Sequence, residues 1–276
     1  MQTLGLVGPD AAALAERLVP RLDGRVATVE PLPDRGEDAS RPAAPGLAPG
    51  SAAAGAFGVG PDGSWVGAGE DRSLADTLDT LAPEYDYALL VGFPEADVPA
   101  VVVGGDEGDD SPTGEVLGRV PDAGGADLGD LTERLDATEP HVTLESLVRR
   151  VKASPRAERA GAIATFTGRV RAKDDDGDPR TTALAFETYE GVADDRMETI
   201  RTELTDRAGV EEVLLHHRTG VVPDGEDIVF VVVLAGHRGE AFRAVEDGIN
   251  RLKDEVPIFK KETTVEDEFW VHDRDG

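Results

Sequence analysis

The side chains that could do chemistry in this 276-residue chain are few and gathered near its end. Of 28 basic residues only five are lysine, Lys152, Lys173, Lys253, Lys260 and Lys261, and three of these fall within nine positions. Lys253 and Lys260 flank Pro257, and the pair His237-Arg238 lies fifteen residues before Lys253. Arginine is always charged and grips phosphate or carboxylate as a fork, and helix N-terminal amides favour the same anions. Lysines crowded by other cations and by burial have lowered pKa values, which frees an amine for base or nucleophile work. The chemistry on offer is therefore the binding of a small anion with an amine acting on it. A surface lysine pair is the plainer reading, and the scarcity of lysine elsewhere argues against it. Glu255 and Glu262 read as ion-pair partners for these cations.

Two further clusters bear on the same site. Gly168, Arg169 and Arg171 close an apolar strand, with both arginines expected on one face as an anion site. His216, His217 and Arg218 form the other cluster. Adjacent histidines on a strand point to opposite faces, so they cannot share a metal without distortion. Without cysteine or an H-E-x-x-H motif, a metal site is not expected. The run Asp174-Asp175-Asp176-Gly177-Asp178 lacks the later glutamate of a calcium loop and reads as a solvated turn.

The background sharpens these choices. The net charge is -28, which opposes nucleic acid or an anionic membrane as partner. Hydrophobic residues make up 39% of the chain, enough for a core, so the acidity reads as a surface suited to high salt rather than as disorder. The absence of cysteine excludes disulfides, thiolate metal sites and a cysteine nucleophile. Any thiol-type sulfur chemistry must then use sulfur brought by another molecule. No apolar run approaches ~20 residues, so no membrane span is expected, and MQTLGLVGPD reads as a cytoplasmic start.

The elements that position the cations are legible from periodicity. From Ala235 to Glu262 the pattern is strand exit, His-Arg turn, helix and proline stop, with Phe242, Val245, Ile249 and Leu252 expected on one apolar face. Upstream, Thr143 caps a helix carrying Leu144, Leu147 and Val151. Gly161 to Arg171 alternates as a strand with Ala162, Ala164, Phe166 and Gly168 on one face. Thr182 to Tyr189, Val213 to His217 and Ile228 to Leu234 are further strands, the last two joined through Pro223-Asp224-Gly225. Ala193, Met197, Ile200 and Leu204 mark a helix, and Phe269 to Val271 a terminal strand. This is an antiparallel α+β domain over 138–276.

Residues 1–136 read differently. Leu4–Val7, a helix over Ala11–Leu22 and a strand over Arg25–Val29 form a βαβ opening, and Tyr87–Val91 and Val101–Val103 continue it. Val116–Val120 and Leu128–Leu135 supply a last strand and helix. An α/β domain with an open, mostly parallel sheet follows. Gly8 after the first strand invites a phosphate-loop reading, but the Gly-Lys-Thr positions of that motif hold Ala13, Leu14 and Ala15. Pro31 to Gly69 is expected to be a long mobile loop. Charge supports the division near 137–141. Residues 1–135 hold 8 basic and 25 acidic side chains, and 136–276 hold 20 and 31.

With these blocks in view, the second half strongly resembles the catalytic large subunit of molybdopterin synthase, the MoaE family. GAIATFTGRVR, LAFETYEGVAD, HHRTGVVPDGE, VVLAGHRGEAFRAVEDGINRLKDEVPIFKKE and FWV come in that family's order. The resemblance implies an α/β hammerhead fold with an antiparallel sheet. It implies an enzyme without a resident cofactor, acting in molybdenum cofactor biosynthesis. A ubiquitin-like small subunit, carrying a thiocarboxylate after Gly-Gly, would give sulfur to cyclic pyranopterin monophosphate and build the molybdopterin dithiolene. A homodimer inside a heterotetramer is implied as well. Carried over residue by residue, Lys253 becomes the main acid/base or nucleophilic group and Lys260 its substrate-contacting or proton-transferring partner. Arg171, His237 and Arg238 become anion-binding residues, the last two reaching from the second subunit of a dimer. Phe166 becomes a pocket aromatic, with Arg218 and Lys261 as further substrate contacts.

The first half resembles the MobB-type adaptor of molybdopterin-guanine dinucleotide biosynthesis through LGLVG, ERLVPRL and YDYALLVGFPEADVPAVVVG. The lost Lys-Thr makes its phosphate loop degenerate. Two other readings compete with the sulfurtransferase, a non-catalytic adaptor that binds molybdopterin or a partner through the first domain, and a nucleotide hydrolase.

Overall fold

The computed structural model describes residues 1–32, 55–69, 71–105, 111–173, 175–189, 191–265 and 268–271. The chain divides into two compact units, Met1–His141 and Val142–Gly276. Among the described residues no helix is long and apolar enough to cross a membrane.

The first unit contains β1 (Gln2–Val7), α1 (Ala11–Leu18), β2 (Val26–Val29), β3 (Gly55–Val59), β4 (Trp65–Gly69), α2 (Leu74–Leu81), β5 (Tyr87–Val91), β6 (Ala100–Val103), β7 (Val116–Val120) and α3 (Leu128–Asp136). Its main sheet runs β2-β5-β1-β6-β7, with all neighbours parallel. Helices cover both faces, which is why the strands are apolar throughout rather than alternating. Leu14 and Leu18 of α1 pack with Leu4, Leu6 and Leu89 on one face, and Leu78 of α2 with Ala88 and Leu90 on the other. Ser73 caps α2 reciprocally with Asp76.

One expectation is corrected here. Within the stretch read as a loop from Pro31 to Gly69, residues 55–69 form an antiparallel hairpin, Phe57 opposite Gly67 and Val59 opposite Trp65. Glycine dilutes its apolar alternation, and Asp62-Gly63-Ser64 supplies the turn, with Gly63 at φ +84° and Asp62 accepting from the Ser64 amide at 3.1 Å. Residues 33–54 of the expected loop, residues 106–110 and Asp174 of the Asp-rich run lie outside the described residues.

The second unit contains α4 (Leu144–Lys152), β8 (Ala162–Arg169), β9 (Thr181–Thr188), α5 (Val192–Thr205), β10 (Val210–His217), β11 (Gly220–Pro223), β12 (Asp227–Ala235), α6 (Arg238–Glu255), β13 (Ile258–Thr264) and β14 (Glu268–Val271). Its strands form two antiparallel sheets, β10-β12-β8 and β11-β9-β13-β14, rather than one. The expected direct connection between β10 and β12 is broken by β11. That strand pairs with β9 in the other sheet, Val222 opposite Leu184. Four residues ending in proline carry too little pattern to be read as a strand.

Alternation along β12 separates two cores. Val229, Val231, Val233 and Ala235 face α5 and α6, together with Leu184, Phe186 and Val222 of the second sheet. Phe230, Val232 and Leu234 face α4, where Leu147 and Val151 meet them. Thr143 caps α4, its hydroxyl accepting from the Ser146 amide at 3.1 Å while its own amide donates to the Ser146 hydroxyl.

The apolar face of α6 is also corrected. Its buried residues are Ala241, Ala244, Val245, Gly248, Ile249 and Leu252, whereas Phe242 is 65% exposed. Small residues bring the helix close to the sheet, so a Cβ on Gly248 would stand 3.0 Å from Val231 Cγ1. That approach turns the buried arc toward Ala241 and Ala244 and leaves Phe242 on its edge. Replacing buried Leu252 by alanine is expected to cost about 2–5 kcal/mol. Phe242→Ser should stay within about 0.5 kcal/mol. Denaturant unfolding of the two variants checks this, and the opposite ranking would return Phe242 to the core.

Candidate active site

Helix α6 packs over β8 and β12, with α5 beside it over β10. At about 100° per residue the flanks of α6 have different company. One carries Asp247, Arg251 and Glu255. Arg251 holds Glu255 (2.6 Å) and Glu203 of α5 (2.6 Å), Arg196 of α5 stands 3.6 Å from Glu255, and Arg207 pairs with Asp247. The hydrogen bond from Arg251 holds the Glu255 carboxyl below its usual range. The other flank carries Phe242, Glu246, Ile249 and Lys253, turned away from α5 toward the β8 side. Lys253 is exposed there.

Register fixes the height of Lys253. Gly248 approaches Val231 and Leu215, and Val231 is paired with both Leu215 and Phe166. Because α6 folds back over β12, the next five residues carry Lys253 about 7.5 Å along. Two residues of strand, about 6.6 Å, reach the row His217–Val229–Gly168. Lys253 therefore stands level with that row. Phe166 is half-buried just below it, and a Cβ on Gly168 would lie 3.4 Å from its ring and 2.5 Å from Val229 Cγ1.

Lys260 arrives from the second sheet. It lies on β13, which begins directly after the proline stop. It is paired across the ladder with Phe186 of β9, and paired residues share a face. Phe186 is buried and meets the His217 ring edge-on, centroids 4.9 Å apart. Lys260 thus faces inward, half-buried, at the His217 end. Lys261 points to the opposite face, its Nζ 5.8 Å from the centre of the Trp270 ring. The two adjacent lysines serve different surfaces.

The remaining expected residues are distributed unequally. Arg171 is exposed, two residues past the end of β8. Arg169 does not share its setting, since it is tied to Asp227 (3.2 Å) and the Gly225 carbonyl. Arg218 is committed to Glu226 (2.7 Å) and the Asp227 carbonyl (3.2 Å). His237 and Arg238 are exposed at the far end of α6, level with Ala235 and Ala162. Fifteen residues of helix separate them from Lys253 by about 22 Å. Glu262 accepts from the Thr181 hydroxyl rather than pairing with a lysine.

Among the described residues the side chains of Lys253, Lys260, His237 and Arg238 enter no ion pair or hydrogen bond. Ten arginines of the same unit are ion-paired or bonded to carbonyl groups: Arg156, Arg159, Arg169, Arg180, Arg196, Arg201, Arg207, Arg218, Arg243 and Arg251. In a unit with an acidic surplus, Lys253 and Lys260 are thus cations that no carboxylate neutralises among the described residues. Sequence reading missed Phe186 as a wall beside Lys260. Its signal was the alternation of Leu184 and Phe186, which shows a buried face but not what stands across the ladder.

Comparison with known proteins gives this arrangement its class. The MoaE protein family matches residues 137–255. A Haloferax volcanii relative named probable molybdopterin synthase is 57% identical over 274 residues, covering 99% of this chain and 100% of its own length. The molybdopterin synthase catalytic subunit of Pyrococcus abyssi is 40% identical over 111 residues, 40% of this chain and 74% of its own. A solved complex of subunits 1 and 2 of the molybdopterin-converting factor from Helicobacter pylori contains a chain 23% identical, with a TM-score of 0.41, covering 48% of this chain and 86% of that one. The second unit thus carries a MoaE domain. The chain as a whole belongs to the molybdopterin synthase family.

Proposed function

We infer that this chain is the catalytic subunit of a molybdopterin synthase, an enzyme of molybdenum cofactor biosynthesis that transfers sulfur to a pterin. The observation that carries the reading is that Lys253, exposed on the last turn of α6, and Lys260, paired with Phe186 on β13, enter no ion pair or hydrogen bond among the described residues of an otherwise acidic unit. The sulfur donor is a small ubiquitin-like subunit whose C-terminal thiocarboxylate follows Gly-Gly. Its tail enters beside Phe166, and the acceptor is cyclic pyranopterin monophosphate. Lys253 is the acid/base or nucleophilic group, and Lys260 contacts the substrate or carries its proton. Arg171 binds the anion near the same end, with Arg218 and Lys261 as outlying contacts. The absence of cysteine fits a reaction in which the sulfur arrives on another protein.

The distance along α6 bears on assembly. His237 and Arg238 are too far from Lys253 to hold the same phosphate within one chain. If they serve that pocket they do so from a second copy, which supports a homodimer carrying two small subunits. The enzyme works in the cytoplasm.

The first unit has an α/β sheet whose order reverses between β1 and β6, the place where open sheets bind ligands. There the backbone approaches itself closely. A Cβ on Gly8 would lie 2.3 Å from the Val103 carbonyl, and one on Gly104 would lie 3.1 Å from Pro9. Only three residues separate β1 from α1. Together with the missing lysine, this supports a degenerate phosphate loop and a domain that does not bind nucleotide.

Expression in a strain lacking its own synthase large subunit tests the reading. Wild-type protein, and protein without residues 1–136, should restore molybdoenzyme activity. Failure of both would count against a synthase. Rescue by the full chain alone would make the first unit necessary and favour an adaptor role for it.

A further inference from the structure

His217 stands where the two sheets of the second unit meet. It is the last residue of β10 and shares the inward face of Val213 and Leu215. Its Nδ1 lies 2.7 Å from the Arg218 carbonyl oxygen. A carbonyl only accepts, so Nδ1 carries the proton and Nε2 keeps its lone pair. Burial pushes the imidazole below its ordinary pKa, which keeps the ring uncharged at neutral pH.

That fixed ring presses edge-on against Phe186 at 4.9 Å with an interplanar angle of 77°. Phe186 is 5% exposed and lies between Lys260 on one side of its ladder and Gly220 on the other. Gly220 contributes no side chain, and a Cβ there would have nothing within 4 Å. The Phe186 ring therefore has the His217 imidazole as its aromatic neighbour, and Lys260 shares its ladder position and its face.

We propose that His217 is a positioning residue for Lys260, acting through the edge-on contact that its ring makes with Phe186. The role rests on the synthase reading only for its catalytic consequence. The mechanical part, that His217 sets where Lys260 stands, is independent of the reaction.

The scarcity of lysine makes both parts measurable. Selective 13C labelling of lysine gives spectra of five residues, and Lys260→Arg identifies its signal. In His217→Ala the Lys260 signal should shift while that of Lys152, on α4, stays in place. His217→Phe restores an aromatic edge and should return the signal toward its wild-type position. In the reconstituted synthase, His217→Ala should lower kcat about tenfold, as small misplacements of a reacting group do, with KM for the pterin within about twofold. His217→Phe should recover most of that loss. An unmoved Lys260 signal in both variants overturns the proposal, whether or not the protein is a synthase. A shifted Lys260 signal with unchanged kcat overturns its catalytic part. If the alanine variant does not fold, His217→Asn, which keeps the donor but removes the ring, should show the same shift and the same loss. A wild-type protein without sulfur transfer would refute the synthase reading and leave the lysine spectra to decide the mechanical claim.

Discussion

Lys253→Ala should remove roughly 10²–10⁴-fold of the rate of dithiolene formation, the range expected when a positioned acid, base or nucleophile is lost. The structure separates this effect from folding. Lys253 is exposed on the flank of α6 that faces away from α5, and it bonds to no side chain among the described residues. Alanine is the best helix former, so unfolding free energy should change by no more than about 0.5 kcal/mol. The Arg251–Glu255 and Arg251–Glu203 contacts lie on the opposite flank and are untouched. A folded, partner-binding variant with full activity would remove Lys253 from the chemistry. Lys260→Ala provides the comparison. If the two lysines act on one substrate from two elements, the double variant should lose less than the product of the single effects.

Gly168→Ala should be the most damaging single-methyl change near the site. Glycine in a strand usually weakens it, and alanine would normally recover part of that. Here the added Cβ would stand 2.5 Å from Val229 Cγ1 and 3.4 Å from the Phe166 ring. Val229 is 7% exposed on the central strand and cannot withdraw freely. Overpacking of this kind costs about 1–3 kcal/mol, more than the strand gains from alanine. Because Val229 is the group overlapped, the relief must shift the β8 backbone that also carries Phe166, so activity should fall together with stability. Denaturant unfolding measures the first effect and sulfur-transfer kinetics the second. A variant as stable and as active as wild type would mean that the β8 edge yields easily and that Phe166 is not held against it.

These positions differ in how legible they were. The lysines stood out by scarcity, and the helix carrying Lys253 by its period and its proline stop. The direction of Lys260 was not legible. Adjacent lysines on a strand must point to opposite faces, and only pairing with Phe186 on one side and Trp270 on the other decides which faces inward. Phe242 was misplaced because a 3.6-residue period rewards large apolar residues. The burial of α6 is instead set by Ala241, Ala244 and Gly248, whose smallness brings the helix close to the sheet. The split into two sheets was hidden because β11 has only four residues. In the first unit, periodicity found the parallel strands and missed the Gly55–Gly69 hairpin, where glycine interrupts the alternation. The family resemblance suggested Arg218 as a substrate contact, whereas its proximity to Glu226 was not visible in sequence order alone.

The account turns on whether this chain moves sulfur, and on whether the Lys253 end of α6 does it. The direct measurement combines the purified chain, a small partner bearing a 35S-labelled C-terminal thiocarboxylate and cyclic pyranopterin monophosphate, and follows label into the pterin. Label should appear in a dithiolene product with wild-type protein and be nearly absent with Lys253→Ala. No transfer by the wild type, or equal transfer by both, would contradict it.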